Sequence, residues 1–366
     1  MFCLEEAAMK YKWLAGQLRR ELLENGGKKG YKLPTELELA RRYQLSRQTV
    51  RRALQLLEEE GLILRRQGSG AYATGKPPNA PPRQIAVITS FLDDYIFPAI
   101  LHDVQGIFSR EQYSTLVYAT ENQIGTEREI LLKLLDQPVS GLLVEGTKTA
   151  LPTPNADLYQ RLRRTGLPVL FLHGVYANLS GLPCIADNNY DGGYQLGRYL
   201  IQRGHQKIAG IFKSDDIQGP QRYHGAVSAM RDGGLAISDR QFFWYDTEDR
   251  RTLLEARDDR LLRTFLQERL GDATAVICYN DEMAYPLIQA LLSAGKRVPE
   301  DVAVVSFDNS YYSQMGPAPI TSLRHRSRMG RAAAEQLLAL LEGGTAQSKY
   351  LDWELVERAS SQIHRA

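Results

Sequence analysis

Apolar residues recur at helical spacing three times between residues 9 and 74, and then alternate with polar residues in a short fourth stretch. KYKWLAGQLRRELLENG predicts a first helix that ends at Gly26-Gly27, and LPTELELARRYQL predicts a second. Ser46 is a suitable N-cap for a third helix, which runs to about Glu60 and ends at Gly61. The alternating stretch LILRRQGSGAYAT predicts a hairpin with a glycine tip. The second helix is expected to bury four apolar residues, namely Leu37, Leu39, Ala40 and Tyr43.

The pattern changes after residue 83. The stretch GKPPNAPPR, residues 75–83, holds four prolines in nine residues and cannot form a packed element, so it predicts a semi-rigid linker. It separates a small domain at residues 1–74 from a larger one at residues 84–366.

In the larger domain, short apolar strands alternate with amphipathic helices. The predicted strands are QIAVITS, STLVYAT, GLLVEG, PVLFLHG, PCIAD, KIAGIFK, TAVICYN and VAVVSFDN. This alternation favours an α/β fold with parallel sheets covered on both faces. About 280 residues are many for one sheet, so two lobes with a cleft between them are expected. We expect the first lobe at about 84–187 and 320–345, and the second at about 188–319 and 346–360.

Charge is unevenly distributed along the 366 residues. Residues 1–75 hold 14 Lys and Arg against 9 Asp and Glu, whereas the rest of the chain holds 31 against 34. A positive N-terminal domain indicates a polyanionic partner. The three cysteines (Cys3, Cys184, Cys278) have neither metal-type spacing nor the even number of a disulfide framework. No apolar run is long enough to span a bilayer, so a cytoplasmic location without a membrane partner is expected.

Three helices and a glycine-tipped hairpin predict a winged helix-turn-helix that binds double-stranded DNA. In SRQTVRRAL the third helix keeps Val50 and Leu54 for the core and turns polar residues outward near its N-terminus, the part that reaches base edges. Arginine reads guanine and glutamine reads adenine, while further cations neutralise phosphate. The candidate DNA-binding residues are Arg47, Gln48, Arg51 and Arg52 on the helix, with Arg65, Arg66 and the wing tip beside it.

Polar residues follow several predicted strands of the larger domain, where ligands bind in open α/β sheets. Carboxylates, amides and guanidinium groups supply the paired hydrogen bonds that vicinal sugar hydroxyls need, so a monosaccharide site is expected. Its candidate residues are Glu145, His173, Asp187, Arg222, Asn280 and Asp308, with Tyr95, Phe97 or Phe307 as an aromatic face. Asp215-Asp216 and Arg324-His325-Arg326 are interpreted as solvated loop charges.

Residues 9–74 resemble the DNA-binding domain of the GntR family of bacterial transcription regulators, through LPTELELARRYQLSRQTVRRALQLLEEEGLILRRQGSGAYAT. The resemblance implies that Arg47, Gln48, Thr49 and Arg51 carry DNA contacts and that Gly68 lies at the wing tip. Leu37 departs from many family members, which have a polar or basic residue there.

Residues 84–360 resemble the sugar-binding domain of the LacI/GalR family, through YQLGRYLIQRGHQKIAGIF, QGPQRYHGAVSAM, AVICYNDEMA and VPEDVAVVSFDNS. The resemblance implies a two-lobed, periplasmic-binding-protein-like fold and assigns Arg222, Asn280 and Asp308 to the sugar, with Asp187 and His173 lining the pocket less specifically. A GntR head on a LacI-type body is typical of the arabinose repressors of Gram-positive bacteria, and DDYIFPAIL, GLLVEGTKTALPTPN and GIFKSDDIQG resemble that family in particular. This resemblance adds Glu145 and Lys148 to the pocket. It also implies a homodimer that binds a pseudo-palindromic operator and dissociates from it when L-arabinose binds.

Two alternatives remain open. Some GntR heads carry an aminotransferase-like enzyme that uses pyridoxal phosphate, but the lysines here lack the setting of a Schiff-base lysine, so we expect no enzyme and no cofactor. The same architecture also suits another pentose, a hexose or a nucleoside as effector.

Overall fold

The computed structural model describes residues 10–11, 13–19, 21–22, 29–66, 69–75, 83–92 and 95–362. The chain divides into two compact units, Met1–Pro82 and Arg83–Ala366. Gly68 and residues 76–82 of the expected linker lie outside the described residues.

The first unit contains three helices and a hairpin, as predicted. Helix α1 comprises the helical residues 10–11, 13–19 and 21–22. It is followed by α2 (Glu36–Tyr43), α3 (Arg47–Glu59), β1 (Ile63–Arg66) and β2 (Gly70–Ala73). The Thr35 hydroxyl caps α2 and the Ser46 hydroxyl caps α3, each by accepting a backbone N–H of the first turn. Apolar residues of all these elements form one core, which includes Leu14, Leu39, Leu54 and Ile63.

The prediction that Leu37 is buried is wrong. Its side chain is 46% exposed, whereas Leu39 is fully buried. Two residues along a helix correspond to about 200° of rotation, so Leu37 and Leu39 lie on opposite sides of α2. The core takes the Leu39 side.

The second unit contains twelve strands and nine α-helices among the described residues. The strands are β3 (Gln84–Thr89), β4 (Ser114–Ala119), β5 (Gly141–Glu145), β6 (Val169–Leu172), β7 (Cys184–Asp187), β8 (Ile208–Lys213), β9 (Phe242–Tyr245), β10 (Ala275–Cys278), β11 (Ala303–Phe307), β12 (Thr321–His325), β13 (Lys349–Leu351) and β14 (Trp353–Val356). The helices are α4 (Phe97–Arg110), α5 (Ile124–Asp136), α6 (Ala156–Arg164), α7 (Asn189–Gln202), α8 (Gln218–Asp232), α9 (Thr247–Leu254), α10 (Arg260–Thr264), α11 (Asp281–Ser293) and α12 (Met329–Leu341).

The strands form two six-stranded sheets, one in each lobe. The first has the order β13-β7-β6-β5-β3-β4 and is parallel throughout. The second has the order β14-β12-β11-β10-β8-β9 and is parallel except for the antiparallel pair β12 and β14. In β3, Ala86 and Ile88 belong to the core on one face, and Ile85 and Val87 to the core on the other. Burial on both faces explains why the strands are continuously apolar.

All eight predicted strands are present, and four further strands were not predicted. The strand β13 has only three residues, of which Lys349 and Tyr350 are exposed, so its sequence carries little apolar signal. In β12, apolar character is limited because Thr321 and Ser322 are buried through hydrogen bonds rather than by an apolar side chain.

The expected lobe boundaries near the C-terminus are wrong in two places. Strand β12 pairs with β11 and therefore belongs to the second lobe, although residues 320–345 were assigned to the first. Strand β13 pairs with β7 and belongs to the first lobe, although residues 346–360 were assigned to the second. The chain therefore crosses between the lobes three times: from β7 to α7, from β12 to α12, and from β13 to β14.

Among the described residues, no helix is both long and apolar enough to cross a bilayer.

Candidate DNA-binding surface and effector site

The N-terminal turn of α3 presents polar side chains to solvent. Arg47 and Gln48 are exposed, while Val50 and Leu54 on the opposite side are buried. Within the described part of the first unit, the side chains of Arg47 and Gln48 make no hydrogen bond. They are therefore available to base edges, as the sequence predicts for a recognition helix.

Three other predicted arginines have partners within the first unit. Glu36 of α2 accepts hydrogen bonds from Arg51, at 3.3 Å, and from Arg65. The guanidinium of Arg52 lies 4.7 Å from the ring centre of Tyr11 in α1. These contacts orient the arginines and join α3 to its neighbours. The hydroxyl of Thr49 is 2.8 Å from that of Ser46, so Thr49 takes part in the helix cap.

The outer face of the hairpin carries a second group of cations around Tyr72. Arg66 and Lys32 lie over the Tyr72 ring, with their charged groups 5.3 Å and 5.8 Å from its centre. The Tyr72 hydroxyl is 2.7 Å from that of Ser69 near the wing tip. Lys32 reaches this face because its backbone forms an isolated antiparallel β-bridge with Tyr72 of β2. Lys32 and Tyr72 were not predicted, although the alternation of the hairpin places Arg66 and Tyr72 on one face.

A cavity of about 70 Å³ lies between the two lobes of the second unit, at the carboxyl ends of the strands. Eight of the ten predicted effector residues line it: Tyr95, Phe97, Glu145, His173, Asp187, Arg222, Asn280 and Asp308. Glu145 and Asp187 end β5 and β7, and Asp308 directly follows β11. The convergence of strand ends explains why residues far apart in the sequence meet here.

Lys148 and Phe307 do not line the cavity. The backbone N–H of Lys148 donates to Asn122 Oδ1 at 2.9 Å, and its φ of +50° places it in a turn after β5. Phe307 is fully buried, with its ring 4.3 Å from the Arg222 guanidinium carbon. Phe307 thus supports Arg222 from behind and offers no aromatic face to a ligand.

Arg222 is held by a dense set of contacts on the floor of the cavity. Its Nε donates to Asn189 Oδ1 at 2.9 Å and its Nη1 to the Tyr279 carbonyl at 2.5 Å. Its Nη2 donates to Gln218 Oε1 at 3.0 Å and to Asp308 Oδ1 at 3.4 Å. Because burial disfavours the charged guanidinium while Asp308 favours it, the net effect raises the pKa of Arg222. A fixed, fully charged guanidinium suits the recognition of hydroxyl oxygens.

Asp187 lies between two histidines. Its Oδ1 accepts a 2.8 Å hydrogen bond from His325 Nδ1, and its Oδ2 lies 3.8 Å from His173 Nδ1. Burial disfavours the charge of each group, but their attraction is stronger. The pKa of His173 rises to about 9, with a contribution from Glu145, and that of Asp187 falls far below its usual range. Neither Asp187 Oδ2 nor His173 Nδ1 makes a hydrogen bond among the described residues, and the two buried atoms face each other as an ion pair.

Glu145 and Asn280 also contribute polar groups to the cavity. Glu145 Oε2 accepts hydrogen bonds from the Thr89 hydroxyl and the Ser90 N–H, at 2.8 Å and 2.7 Å. Asn280 Oδ1 caps α11 by accepting the Met283 N–H at 3.0 Å, which leaves its amide group as a donor for a ligand.

The interpretation of Asp215, Asp216 and His325 as solvated loop charges is wrong. Asp216 is half-buried and lines the cavity, where its Oδ2 accepts from the Tyr279 hydroxyl at 2.8 Å. Asp215 is buried beside Lys213, at 3.1 Å. His325 ends β12 and binds Asp187. Arg324 is half-exposed on β12, with its guanidinium paired to Glu354 at 2.9 Å. Asp216 could have been predicted as a site residue, because it comes three residues after the end of the predicted strand β8.

Each cation of the cavity lining is paired with a carboxylate. Lys213 lies beside Asp215, Arg222 beside Asp308, and Arg250 forms two hydrogen bonds with Glu282 at 2.7 Å and 2.6 Å. Glu145 and Asp216 add further negative charge, and Asp187 offsets His173, whose pKa is raised. This balance favours an uncharged ligand with several hydroxyl groups over a phosphorylated one, because a phosphate requires cations that are free to bind it. No group of metal-binding side chains is found among the residues that the structure describes.

Comparisons with known proteins decide the family. Residues 10–72 match the gntR family of bacterial regulatory proteins, and residues 198–361 match a periplasmic binding protein-like domain. An arabinose metabolism transcriptional repressor of Halalkalibacterium halodurans is 32% identical over 340 residues, which cover 91% of this chain and 89% of that protein. One of Geobacillus stearothermophilus is 33% identical over 342 residues, which cover 92% and 93%. The chain belongs to this family of transcriptional repressors.

Membership in the repressor family excludes the aminotransferase alternative, so this protein is a DNA-binding regulator and not an enzyme. Among solved structures, the lac repressor dimer bound to operator and the anti-inducer ONPF has a TM-score of 0.66 at 21% sequence identity. The match covers 78% of this chain and 96% of that one. It confirms the predicted LacI-type fold of the second unit.

Proposed function

We propose that this repressor binds a pseudo-palindromic operator as a homodimer and is released from it by L-arabinose. It acts in the cytoplasm on genes of arabinose use and requires no cofactor. The observation that carries the proposal is the cavity itself, which the Arg222–Asp308 pair and Asp187 line together.

The cavity chemistry supports a small neutral sugar. Arg222 and the Asn280 amide can donate to ring and hydroxyl oxygens, while Asp187 and Asp308 can accept from hydroxyl groups. Tyr95 and Phe97 supply an aromatic side. The relatives named above are repressors of arabinose metabolism, which selects L-arabinose among monosaccharides.

Another pentose or a hexose remains the second candidate. The epimers of a pentose differ in the direction of one hydroxyl group, and a buried carboxylate such as Asp187 discriminates by whether that hydroxyl reaches it.

Dimerisation is supported by the limited reach of one winged helix. A single recognition helix reads one half-site, and two-fold symmetry pairs two half-sites about one helical turn apart. The lac repressor, which shares the fold of the second unit, was crystallised as a dimer on its operator.

The decisive experiment measures operator affinity with and without L-arabinose. Because the operator sequence is not given by the chain, it is first selected from a random duplex library with the purified full-length protein. Calorimetry then compares L-arabinose with D-xylose, D-ribose, D-galactose and adenosine. We expect L-arabinose to bind most tightly and to weaken operator binding. If operator affinity is unchanged at saturating L-arabinose, the effector assignment is wrong, and a monomer on DNA in sedimentation experiments would refute the dimer.

A further inference from the structure

The three crossings between the lobes meet at one cluster of side chains. Asp187 is the last residue of β7, His325 is the last residue of β12, and Trp353 is the first residue of β14. Each therefore occupies the end of a strand at which the chain passes from one lobe to the other. Any change in the angle between the lobes must alter the backbone at these three places.

Direct contacts join the three residues. His325 Nδ1 donates to Asp187 Oδ1 at 2.8 Å, and its ring lies against that of Trp353 with 4.4 Å between the ring centres and 33° between the planes. Trp353 Nε1 donates to the carbonyl of Asn188, at 3.1 Å. His325 thus touches one residue of each of the other two crossings.

Backbone hydrogen bonds connect the same segments. The N–H of Asn188 donates to the Leu351 carbonyl at 2.9 Å, and the N–H of Arg326 donates to the Asp352 carbonyl at 3.0 Å. The three crossings are therefore cross-linked in pairs rather than being independent strands.

The two oxygens of Asp187 face different partners. Asp187 is one of the residues that line the cavity; its Oδ1 binds His325, whereas its Oδ2 lies 3.8 Å from His173 Nδ1 and makes no hydrogen bond among the described residues. His325 is absent from the described lining of the cavity. The Asp187 carboxylate is thus in contact with both the effector cavity and the three crossings, which we call the hinge. His325 is the side chain that connects this carboxylate to the other two crossings.

We propose that His325 is a positioning residue that couples effector binding to the relative orientation of the lobes. The inference rests on the function proposed above, in which a sugar is the effector. A sugar hydroxyl that donates to Oδ2 fixes the direction of the Asp187 carboxylate, and the bond from Oδ1 then fixes His325 and the stacked Trp353. A ligand shifts the equilibrium between two orientations of the lobes only if it binds one of them more tightly. The sugar therefore favours the orientation in which the Asp187 carboxylate can bind both the sugar hydroxyl and His325.

Two substitutions separate the hydrogen bond from the ring. His325→Asn places an amide N–H close to the position of Nδ1 and so keeps the donor to Asp187, whereas His325→Phe keeps the ring against Trp353 and removes the donor. Arg324→Gln is the matched control. Arg324 is the preceding residue of β12 and bonds Glu354 of β14, at 3.0 Å and 2.9 Å, but does not contact Asp187.

The test measures two quantities for each full-length variant: the affinity for L-arabinose, and the ratio of operator affinities without and with saturating L-arabinose. We expect the operator affinity of His325→Phe without sugar to stay within twofold of the wild type. The ratio of operator affinities without and with L-arabinose should fall at least tenfold. His325→Asn should recover most of the ratio, and Arg324→Gln should match the wild type. A wild-type ratio in His325→Phe overturns the proposal, as does an equal loss in His325→Asn.

A readout without sugar distinguishes this inference from the effector assignment. If L-arabinose does not change the operator affinity of the wild type, the effector assignment is wrong. Hydrogen exchange then tests the contacts at the hinge alone. We expect the amides of Asn188 and Arg326 to exchange faster in His325→Phe than in His325→Asn. If His325→Phe fails to fold, the isosteric Asp187→Asn is used in its place. Equal exchange at both amides overturns the proposal.

Discussion

The Tyr95 hydroxyl, in the first lobe, donates a 2.5 Å hydrogen bond to Asp308 Oδ2, in the second. The other oxygen of Asp308 accepts from Arg222 at 3.4 Å, so each lobe engages one side of the same carboxylate. The φ of Asp308 is +94°, a conformation that costs free energy in a residue with a side chain and that often marks functional sites. A ligand hydroxyl that binds Asp308 therefore acts on a group whose position depends on both lobes.

Asp308→Asn is expected to lower the affinity for L-arabinose at least tenfold, since hydrogen bonds to charged groups contribute about 1.5–3 kcal/mol. Its repressor activity should persist, and L-arabinose should no longer release it at ordinary concentrations. Asparagine is preferable to alanine because its amide oxygen can still accept a hydrogen bond from Arg222, whereas alanine would leave that buried donor without this acceptor. Calorimetry and operator binding with increasing sugar measure the two effects.

Tyr95→Phe is the matched control for Asp308→Asn. It removes the bond to Asp308 but keeps the aromatic ring and the charge of the carboxylate, so sugar affinity should stay within a few-fold of the wild type. A fully inducible Asp308→Asn variant would remove Asp308 from the site.

Arg47→Ala is expected to weaken specific operator binding by about 1–3 kcal/mol per half-site, the usual cost of losing a paired base contact. Sugar affinity should not change, because Arg47 belongs to the first unit and the cavity to the second. Arg51→Ala should also weaken binding, in part because Glu36 loses one of its two arginine partners. Fluorescence anisotropy with labelled operator and with an unrelated duplex separates specific from general affinity.

Gln55→Ala, at an exposed position two turns further along α3, serves as the control for Arg47→Ala. Operator affinity of the Arg47 variant equal to that of the Gln55 variant would show that the N-terminal turn of α3 does not read bases.

Sequence reasoning located the candidate site through strand ends, and its omissions follow from contacts between lobes. Glu145, Asp187 and Asp308 could be found because each ends or follows an apolar strand, and the ends of parallel strands converge. His325 could not be interpreted from its neighbours Arg324 and Arg326, because its partner Asp187 belongs to the other lobe and is 138 positions away.

The omissions elsewhere have a similar cause. Phe307 was wrongly included in the site because it lies near the end of a predicted strand, as ligand-binding residues do, but its side chain points to the buried side of β11, under Arg222. Lys32 reaches the wing only because the segment before α2 pairs with β2, a pairing that no local pattern announces. Strand ends and alternation are local properties of a sequence, whereas these placements depend on which segments become neighbours in space.

Lys32→Gln is expected to reduce the salt dependence of DNA binding. A cation that neutralises one phosphate contributes about −0.9 to the slope of log K against log salt concentration, so the slope should become shallower by about that amount per bound chain. Because this contact does not depend on base sequence, a duplex of arbitrary sequence serves as the probe. Lys32→Arg should retain the wild-type slope.

Lys349→Gln provides the matched control for Lys32→Gln, since Lys349 is an exposed strand lysine of the second unit. If both glutamine variants change the slope equally, the effect comes from total charge. The outer face of the hairpin around Tyr72 then does not contact phosphate. Tyr72→Leu should lower DNA affinity while keeping the slope, because the cations remain but lose the ring that orients them.

The histidine and aspartate pair at the cavity should make stability depend on pH. The pKa of folded His173 is about 9, above the ordinary value of 6.5, so the folded state binds its proton more tightly than the unfolded state does. Its stabilising contribution is therefore complete below about pH 6.5 and is lost as the pH rises through about 9. Asp187, whose pKa is lowered, contributes at all pH values above its ordinary range and loses this contribution only in acid.

We therefore expect the free energy of unfolding of the second unit to fall between pH 6.5 and 9.5, by an amount on the order of 3 kcal/mol at most. His173→Asn should flatten this dependence, since its amide does not titrate, and should be less stable than the wild type chiefly at the lower pH. Urea unfolding of the full chain at pH 6.5, 7.5, 8.5 and 9.5, followed by tryptophan fluorescence, measures the effect because Trp353 lies beside His325 in the same cluster. His102→Gln, at an exposed position of α4, controls for the loss of a histidine elsewhere. Parallel pH profiles for the wild type and His173→Asn would show that the proton on His173 does not stabilise the folded lobes, and the attraction between His173 and Asp187 would then be too weak to order the cavity.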